Sequence, residues 1–211
     1  LSVYEQLCLE RGFEFEQRDG ALTVCGRLSH GNYRVRGDIS SQFISGLMFA
    51  LPTLLKDSVI EITGKTESMP YIKMTAHTLS QFGVTVNISG NRIEIPGSQR
   101  YAAEKYRVEG DWSNAAFFLA LNALPLQKNR VEVTGLCSGS LQGDRICTEY
   151  FSKISRGAPR LDISDCPDLG PVLMSAMAAH RGGTLTGTRR LKIKESDRGN
   201  AMASELAKLG V

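Results

Sequence analysis

One tryptophan, three histidines and 7% aromatic residues among 211 leave this chain few large anchors and few groups that titrate near neutrality. Long hydrophobic runs are missing as well. The most apolar stretch, around residues 117–126, falls far short of the roughly 20 residues a membrane-spanning helix needs. The first residues lack the basic, apolar, small-residue order of a secretory leader. These two absences point to a soluble protein with a cytoplasmic location. Cysteine is sparse and scattered: Cys8, Cys25, Cys137, Cys147 and Cys166 form no CxxC pair and have no histidine at ligand spacing. That argues against a structural zinc and for free, mostly buried thiols. Basic and acidic residues nearly balance, 25 against 22, with no Lys/Arg stripe of the kind a nucleic-acid surface requires. A net charge of +3 remains compatible with small anionic substrates.

What is present is a repeat. Residues 33–64 and 106–135 both open with Tyr-Arg-Val and pass through a Gly-Asp pair (Gly37-Asp38 and Gly110-Asp111). Both then run through an apolar stretch to Leu-Pro and end in Thr-Gly. Their closing segments, 59–63 and 131–134, alternate and are rich in β-branched residues, which predicts strands. The stretches 43–51, 115–126 and 169–179 are apolar on nearly every side, which predicts central helices buried all round. Residues 70–82 and 198–209 place apolar side chains at helical spacing (Tyr71, Met74, Thr78, Phe82; Met202, Leu206, Leu209), which predicts amphipathic covering helices. Strands at 85–88 and 92–95, turning at Gly90-Asn91, complete the first unit as βαβαββ. A helix over 3–11 and strands at 13–17 and 21–25 read as the tail of an earlier unit, and the last helix as the interior of a later one. The expectation is a piece of a longer α/β protein of two lobes.

The residues able to do chemistry sit where strands or loops hand over to helices. There the unpaired N–H groups and the dipole favour anions. Ser40, Ser41 and Gln42 form one such entrance, although serine before an apolar run is also an ordinary helix cap. Ser68, ahead of Pro70, and Asp168, ahead of the third apolar helix, have the same two readings. Lys194, Glu195 and Arg198 form a richer cluster, because a lysine beside a carboxylate can move protons and a guanidinium grips phosphate or carboxylate in two places. A solvated charged face is the plain alternative.

In order and spacing, Gly37-Asp38-x-Ser40-Ser41-Gln42-Phe43, Ser68-x-Pro70-Tyr71-Ile72, Cys166-Pro167-Asp168 and Lys194-Glu195-Ser196-Asp197-Arg198 resemble EPSP synthases over essentially the whole chain. That resemblance implies two similar lobes of βαβαββ units with the active site in the cleft between them. Residues 1–108 would belong to the lobe that binds shikimate 3-phosphate, and 109–211 to the second. It implies transfer of the carboxyvinyl group of phosphoenolpyruvate to the 5-hydroxyl of shikimate 3-phosphate, in the shikimate pathway of aromatic amino acid biosynthesis, without metal or organic cofactor. Ser40, Ser41, Gln42, Ser68 and Tyr71 look like sugar-phosphate ligands. Asp168 looks like the group at the reacting hydroxyl, Glu195 like the proton donor to the methylene, Lys194 like a support for either proton movement, and Arg198 like a clamp on phosphoenolpyruvate.

Departures accompany the match. Arg190 stands where the family has asparagine, residues 152–161 are too few for the expected hairpin, and the family's amino-terminal lysine and later arginine and lysine have no counterpart. The chain alone is therefore expected to be inactive. Two rivals carry different expectations. UDP-N-acetylglucosamine enolpyruvyl transferase shares the fold but relies on a reactive cysteine in a glycine-rich loop, and a non-catalytic repeat scaffold would leave the charged clusters solvated.

Overall fold

The computed structural model describes residues 2–124, 130–193 and 196–211. The chain divides into two compact units, Leu1–Glu67 with Ile72–Tyr106, and Ser68–Tyr71 with Arg107–Val211.

The first unit opens with helix α1 (Ser2–Arg11) and an antiparallel hairpin, β1 (Glu14–Arg18) and β2 (Ala21–Cys25), turning at Asp19-Gly20. A complete βαβαββ motif follows. Strand β3 (Asn32–Arg36) crosses through α2 (Ser41–Ala50) to the parallel β4 (Ser58–Thr63). Helix α3 (Met69–Gln81) then leads to the hairpin β5 (Asn87–Ser89) and β6 (Arg92–Ile95), giving the sheet order β3-β4-β6-β5. Alternation in β3 and β4 turns Tyr33, Val35, Ile60 and Ile62 inward, where they meet Ile44, Met48, Leu51, Ile72, Leu79, Ile93 and Ile95. Each such fully buried aliphatic side chain contributes about 1.5–3 kcal/mol relative to exposure. Helix α3 faces this core with Ile72, Thr75 and Leu79, not with the predicted stripe of Tyr71, Met74, Thr78 and Phe82, which is only half-buried. Because both stripes have helical spacing, periodicity alone does not choose between them. A hydrogen bond of 2.8 Å between the Ser45 and Thr75 hydroxyls fixes the choice.

In the second unit, helices α4 (Trp112–Leu121), α5 (Cys147–Arg156) and α6 (Gly170–Ala178) surround one core. That core includes Trp112, Phe151, Ile154, Leu161, Ile163, Leu169 and Leu173. Two short parallel strands, β7 (Arg160–Asp162) and β8 (Thr184–Thr186), form its sheet, and α7 (Arg198–Ala207) closes the chain. Several expectations fail here. The predicted strand at 131–134 does not form. Val131 keeps its alternation with Glu132, but its backbone N–H and C=O are taken by the Asn122 side-chain amide at 2.8 Å each, and a strand exists only through a neighbouring ladder. Helix α5, unpredicted, buries Cys147, Tyr150, Phe151 and Ile154 at i, i+3, i+4 and i+7. Helix α4 is not buried all round: Phe117, Phe118 and Leu121 are exposed. Helix α7 has no fully buried residue, because it lies across an open groove of about 450 Å³ lined by Met174, Met177, Leu185 and Leu206 rather than on packed core. The predicted extension of α4 over 125–126 lies outside the described residues.

Among the described residues no helix is long and apolar enough to cross a membrane, and no group of three His, Cys, Asp or Glu could hold a metal ion. Cys8, Cys147 and Cys166 are buried free thiols, while Cys25 and Cys137 are exposed.

Candidate active site

In the first unit the entrance of α2 is built by a close backbone approach. A Cβ on Gly37 would stand 2.6 Å from Ile62 Cγ2 and 3.0 Å from Thr66 Cα, so glycine alone lets the end of β3 pass this loop. The buried Asp38 carboxylate takes both fork nitrogens of Arg36, at 3.0 and 2.8 Å. Ser40 then caps the helix, its Oγ accepting from Gln42 N at 3.2 Å from an extended backbone. Ser41 is buried and Gln42 exposed. The cap reading of Ser40 is therefore correct, and the other N–H groups of the first turn have no intrahelical partner.

In the second unit the residues predicted from distant stretches of sequence meet. Ser68 is 1% exposed and holds a left-handed backbone, φ 59°. Its hydroxyl accepts a hydrogen bond from Arg190, a residue 122 positions away and itself 6% exposed. Arg190 is thus a buried guanidinium in the 3-10 turn Thr188–Lys192, with its Nε unpartnered among the described residues. Three positions after Ser68, the Tyr71 hydroxyl donates to Oδ2 of Asp144. Asp168 lies in the 3-10 turn Pro167–Leu169 that leads into α6. The N-cap of α6 is Leu169 rather than Asp168, whose Oδ1 pairs with Arg198 at 2.6 Å, at the first residue of α7. Both partners are partly buried, with side chains 33% and 25% exposed. Asp197 caps α7 through Asn200 N at 3.0 Å, which sets the direction in which Arg198 leaves the helix. Lys194 and Glu195 lie outside the described residues.

Asp144 escaped sequence reasoning. It is 1% exposed, and burial raises its pKa, opposed by the Tyr71 hydrogen bond and reinforced by the charge of Asp168. Tyr71 is pushed up as well, by burial first and then by Asp144. The available signal was Gly143-Asp144, a third Gly-Asp pair beside Gly37-Asp38 and Gly110-Asp111. Gly143 again marks close approach, its absent Cβ falling 2.5 Å from the Asp165 carbonyl oxygen and 3.3 Å from Pro70 Cγ. Burial also raises the thiols of Cys147, to about 11, and Cys166, so neither is a thiolate at neutral pH.

Chemically, the second unit offers a carboxylate at a helix entrance, a guanidinium beside it, and hydroxyls held by buried partners. Such a set can accept a proton from a hydroxyl group and bind anionic groups. The family model for EPSP synthase (3-phosphoshikimate 1-carboxyvinyltransferase) matches residues 12–211. The chain is 40% identical over 231 aligned positions to the 3-phosphoshikimate 1-carboxyvinyltransferase of Clostridium kluyveri, covering 100% of this chain and 53% of that protein. It is 37% identical to the corresponding protein of Brachyspira hyodysenteriae, covering 100% of this chain and 54% of that protein. The solved EPSP synthase structure from Acinetobacter baumannii superposes with a TM-score of 0.71 at 20% identity, over 97% of this chain and 52% of that one, and so shares the fold. The chain spans about half the length of the curated relatives it matches. Fold and family model thus agree, and the chain belongs to the EPSP synthase family.

Proposed function

We propose that this chain supplies part of an active site that transfers the carboxyvinyl group of phosphoenolpyruvate to the 5-hydroxyl of shikimate 3-phosphate. Residues 1–108 contribute to the sugar-phosphate lobe and 109–211 to the second lobe of a cytoplasmic enzyme. The observation that carries this reading is the Asp168–Arg198 ion pair. A carboxylate suited to take a hydroxyl proton and a guanidinium suited to grip a carboxylate or phosphate, 30 positions apart, stand 2.6 Å from one another where α6 and α7 begin.

In the reaction the 5-hydroxyl oxygen adds to C2 of phosphoenolpyruvate as its proton passes to a base, and the methylene carbon gains a proton; the tetrahedral adduct then expels inorganic phosphate while the new methyl group gives a proton back to a base, which restores the vinyl double bond. Asp168 takes the hydroxyl proton, Glu195 protonates the methylene, and Lys194 supports these movements. Arg198 trades part of its hold on Asp168 for the phosphoenolpyruvate anion, which frees the carboxylate as the second substrate arrives. Ser40, Ser41 and Gln42 at the α2 entrance, with Ser68 and Tyr71, hold the sugar phosphate, and Arg190 fixes the Ser68 hydroxyl.

The test is phosphate release by the full-length enzyme with phosphoenolpyruvate and either shikimate 3-phosphate or UDP-N-acetylglucosamine. Release with the sugar nucleotide alone overturns the proposal. Glu195→Gln in the same enzyme is expected to lower kcat by about 10²–10⁴ while substrate binding changes little. The 211-residue chain by itself is expected to give no turnover.

A further inference from the structure

Asp144 has no place in the reaction just described, yet it is among the most completely buried acidic groups of the second unit. Its Oδ2 receives the Tyr71 hydroxyl, while its Oδ1 has no hydrogen-bond partner among the described residues. A carboxylate with one buried oxygen that receives no hydrogen bond from the described residues is a costly species, and the same group protonated is far cheaper. The ionisable groups acting on it come from every element around it. Among the described residues they are Tyr71 in the first turn of α3, Asp168 at the α6 entrance, Cys166 beside it, Cys147 at the start of α5 and Asp111 at the cap of α4. The two carboxylates among them disfavour a negative charge on Asp144.

The direction of the Tyr71 hydrogen bond then matters. A phenol whose proton is committed to an ionised carboxylate presents only acceptor lone pairs elsewhere, and it repels a phosphate oxygen. To donate to phosphate, Tyr71 must turn its O–H outward, and Asp144 must hold a proton of its own with which to satisfy the phenolic oxygen. We infer that Asp144 and Tyr71 are a shared-proton pair that positions the sugar-phosphate ligand, and that docking of the phosphate on Tyr71 draws one proton from solvent onto Asp144. The balance is simple: carboxylate, tyrosine, ligand anion and one solvent proton become carboxylic acid donating to the phenolic oxygen, whose own hydrogen now faces the phosphate. No bond other than to hydrogen changes. The inference rests on the assignment of Tyr71 to the shikimate 3-phosphate site.

Calorimetric titration of shikimate 3-phosphate into the full-length enzyme, in two buffers of different ionisation enthalpy at a slightly alkaline pH, counts the protons taken up. The wild-type enzyme is expected to take up about one proton more per site than Asp144→Asn, whose amide cannot ionise; the ligand's own phosphate ionisation contributes equally to both. Tyr71→Phe gives an independent count should the asparagine variant fold poorly, and it too is expected to lose the extra proton. Equal counts in wild type and either folded variant overturn the shared-proton pair while leaving the substrate assignment intact. An absence of binding by the wild-type enzyme overturns the substrate assignment and the pair together.

Discussion

Replacing Gly37 by alanine tests whether the α2 entrance depends on backbone contact rather than on its polar side chains. The new methyl would stand 2.6 Å from Ile62 Cγ2, 3.0 Å from Thr66 Cα and 3.2 Å from the Lys65 carbonyl oxygen. Ile62 is itself buried in the sheet, and two of the three neighbours are main chain, so neither side yields without moving β4 or the loop that follows it. Overpacking of this kind costs about 1–3 kcal/mol. A unit of this size has a urea dependence of about 1–3 kcal/mol per molar, so the midpoint should fall by roughly 1 M. The assay is far-UV circular dichroism of the 211-residue chain in urea, read alongside tryptophan fluorescence. The single tryptophan, Trp112, is buried in the second unit, so fluorescence distinguishes a loss in the first unit from a general one. An unchanged circular dichroism midpoint would refute the reasoning, since it would mean that β3 and the 65–66 loop part without cost.

A second prediction concerns acidity in the unliganded chain. Burial raises the Asp144 pKa above its ordinary 3.8, so the folded state binds this proton more tightly than the unfolded state. Its contribution to stability is complete below the ordinary value and declines, by up to about 1.4 kcal/mol per pH unit, until pH passes the folded value. Asp144→Asn removes that decline, so urea midpoints measured across this window should show the variant gaining on wild type as pH rises; parallel curves would contradict it. A third prediction separates chemistry from stability at Asp168. In the full-length enzyme Asp168→Asn should lower kcat by about 10²–10⁴, whereas the loss of its partly exposed ion pair with Arg198 should cost the chain no more than about 1 kcal/mol. A stability loss several times larger with normal turnover would make Asp168 a structural residue.

The first unit was legible in the sequence because its strands pair with near neighbours and carry their own alternation: 59–63 and 92–95 are β4 and β6 almost to the residue. Residues 131–134 have the same composition and fail, since strand formation depends on a neighbouring ladder that composition does not reveal, and the Asn122 amide has taken the place of one. Helix α4 misled for a related reason. Phe117, Phe118 and Leu121 announce burial, but what lies against a helix is not written in the helix. At the site, residue types and spacing offered Ser40–Gln42, Ser68, Asp168 and Arg198 as candidates, whereas Tyr71 and Arg190 came only from the resemblance to the family. Their pairings, Ser68 with Arg190 and Asp168 with Arg198, were not legible, because each joins loops whose approach is decided by the fold. Asp144 was hidden by resembling an ordinary turn residue in a Gly-Asp pair.

The bond between Ser68 and Arg190 closes a loop of 122 residues, whereas the β1–β2 hairpin and the β3–β4 pair close within fewer than 30. Closing long loops delays contact formation, so short-range pairings mature first during refolding. The polypeptide should therefore acquire its hydrophobic interiors early and the contact between Ser68 and Arg190 last. Binding competence would then lag behind the recovery of secondary structure, with the left-handed Ser68 waiting for a guanidinium that arrives from the far end of the chain.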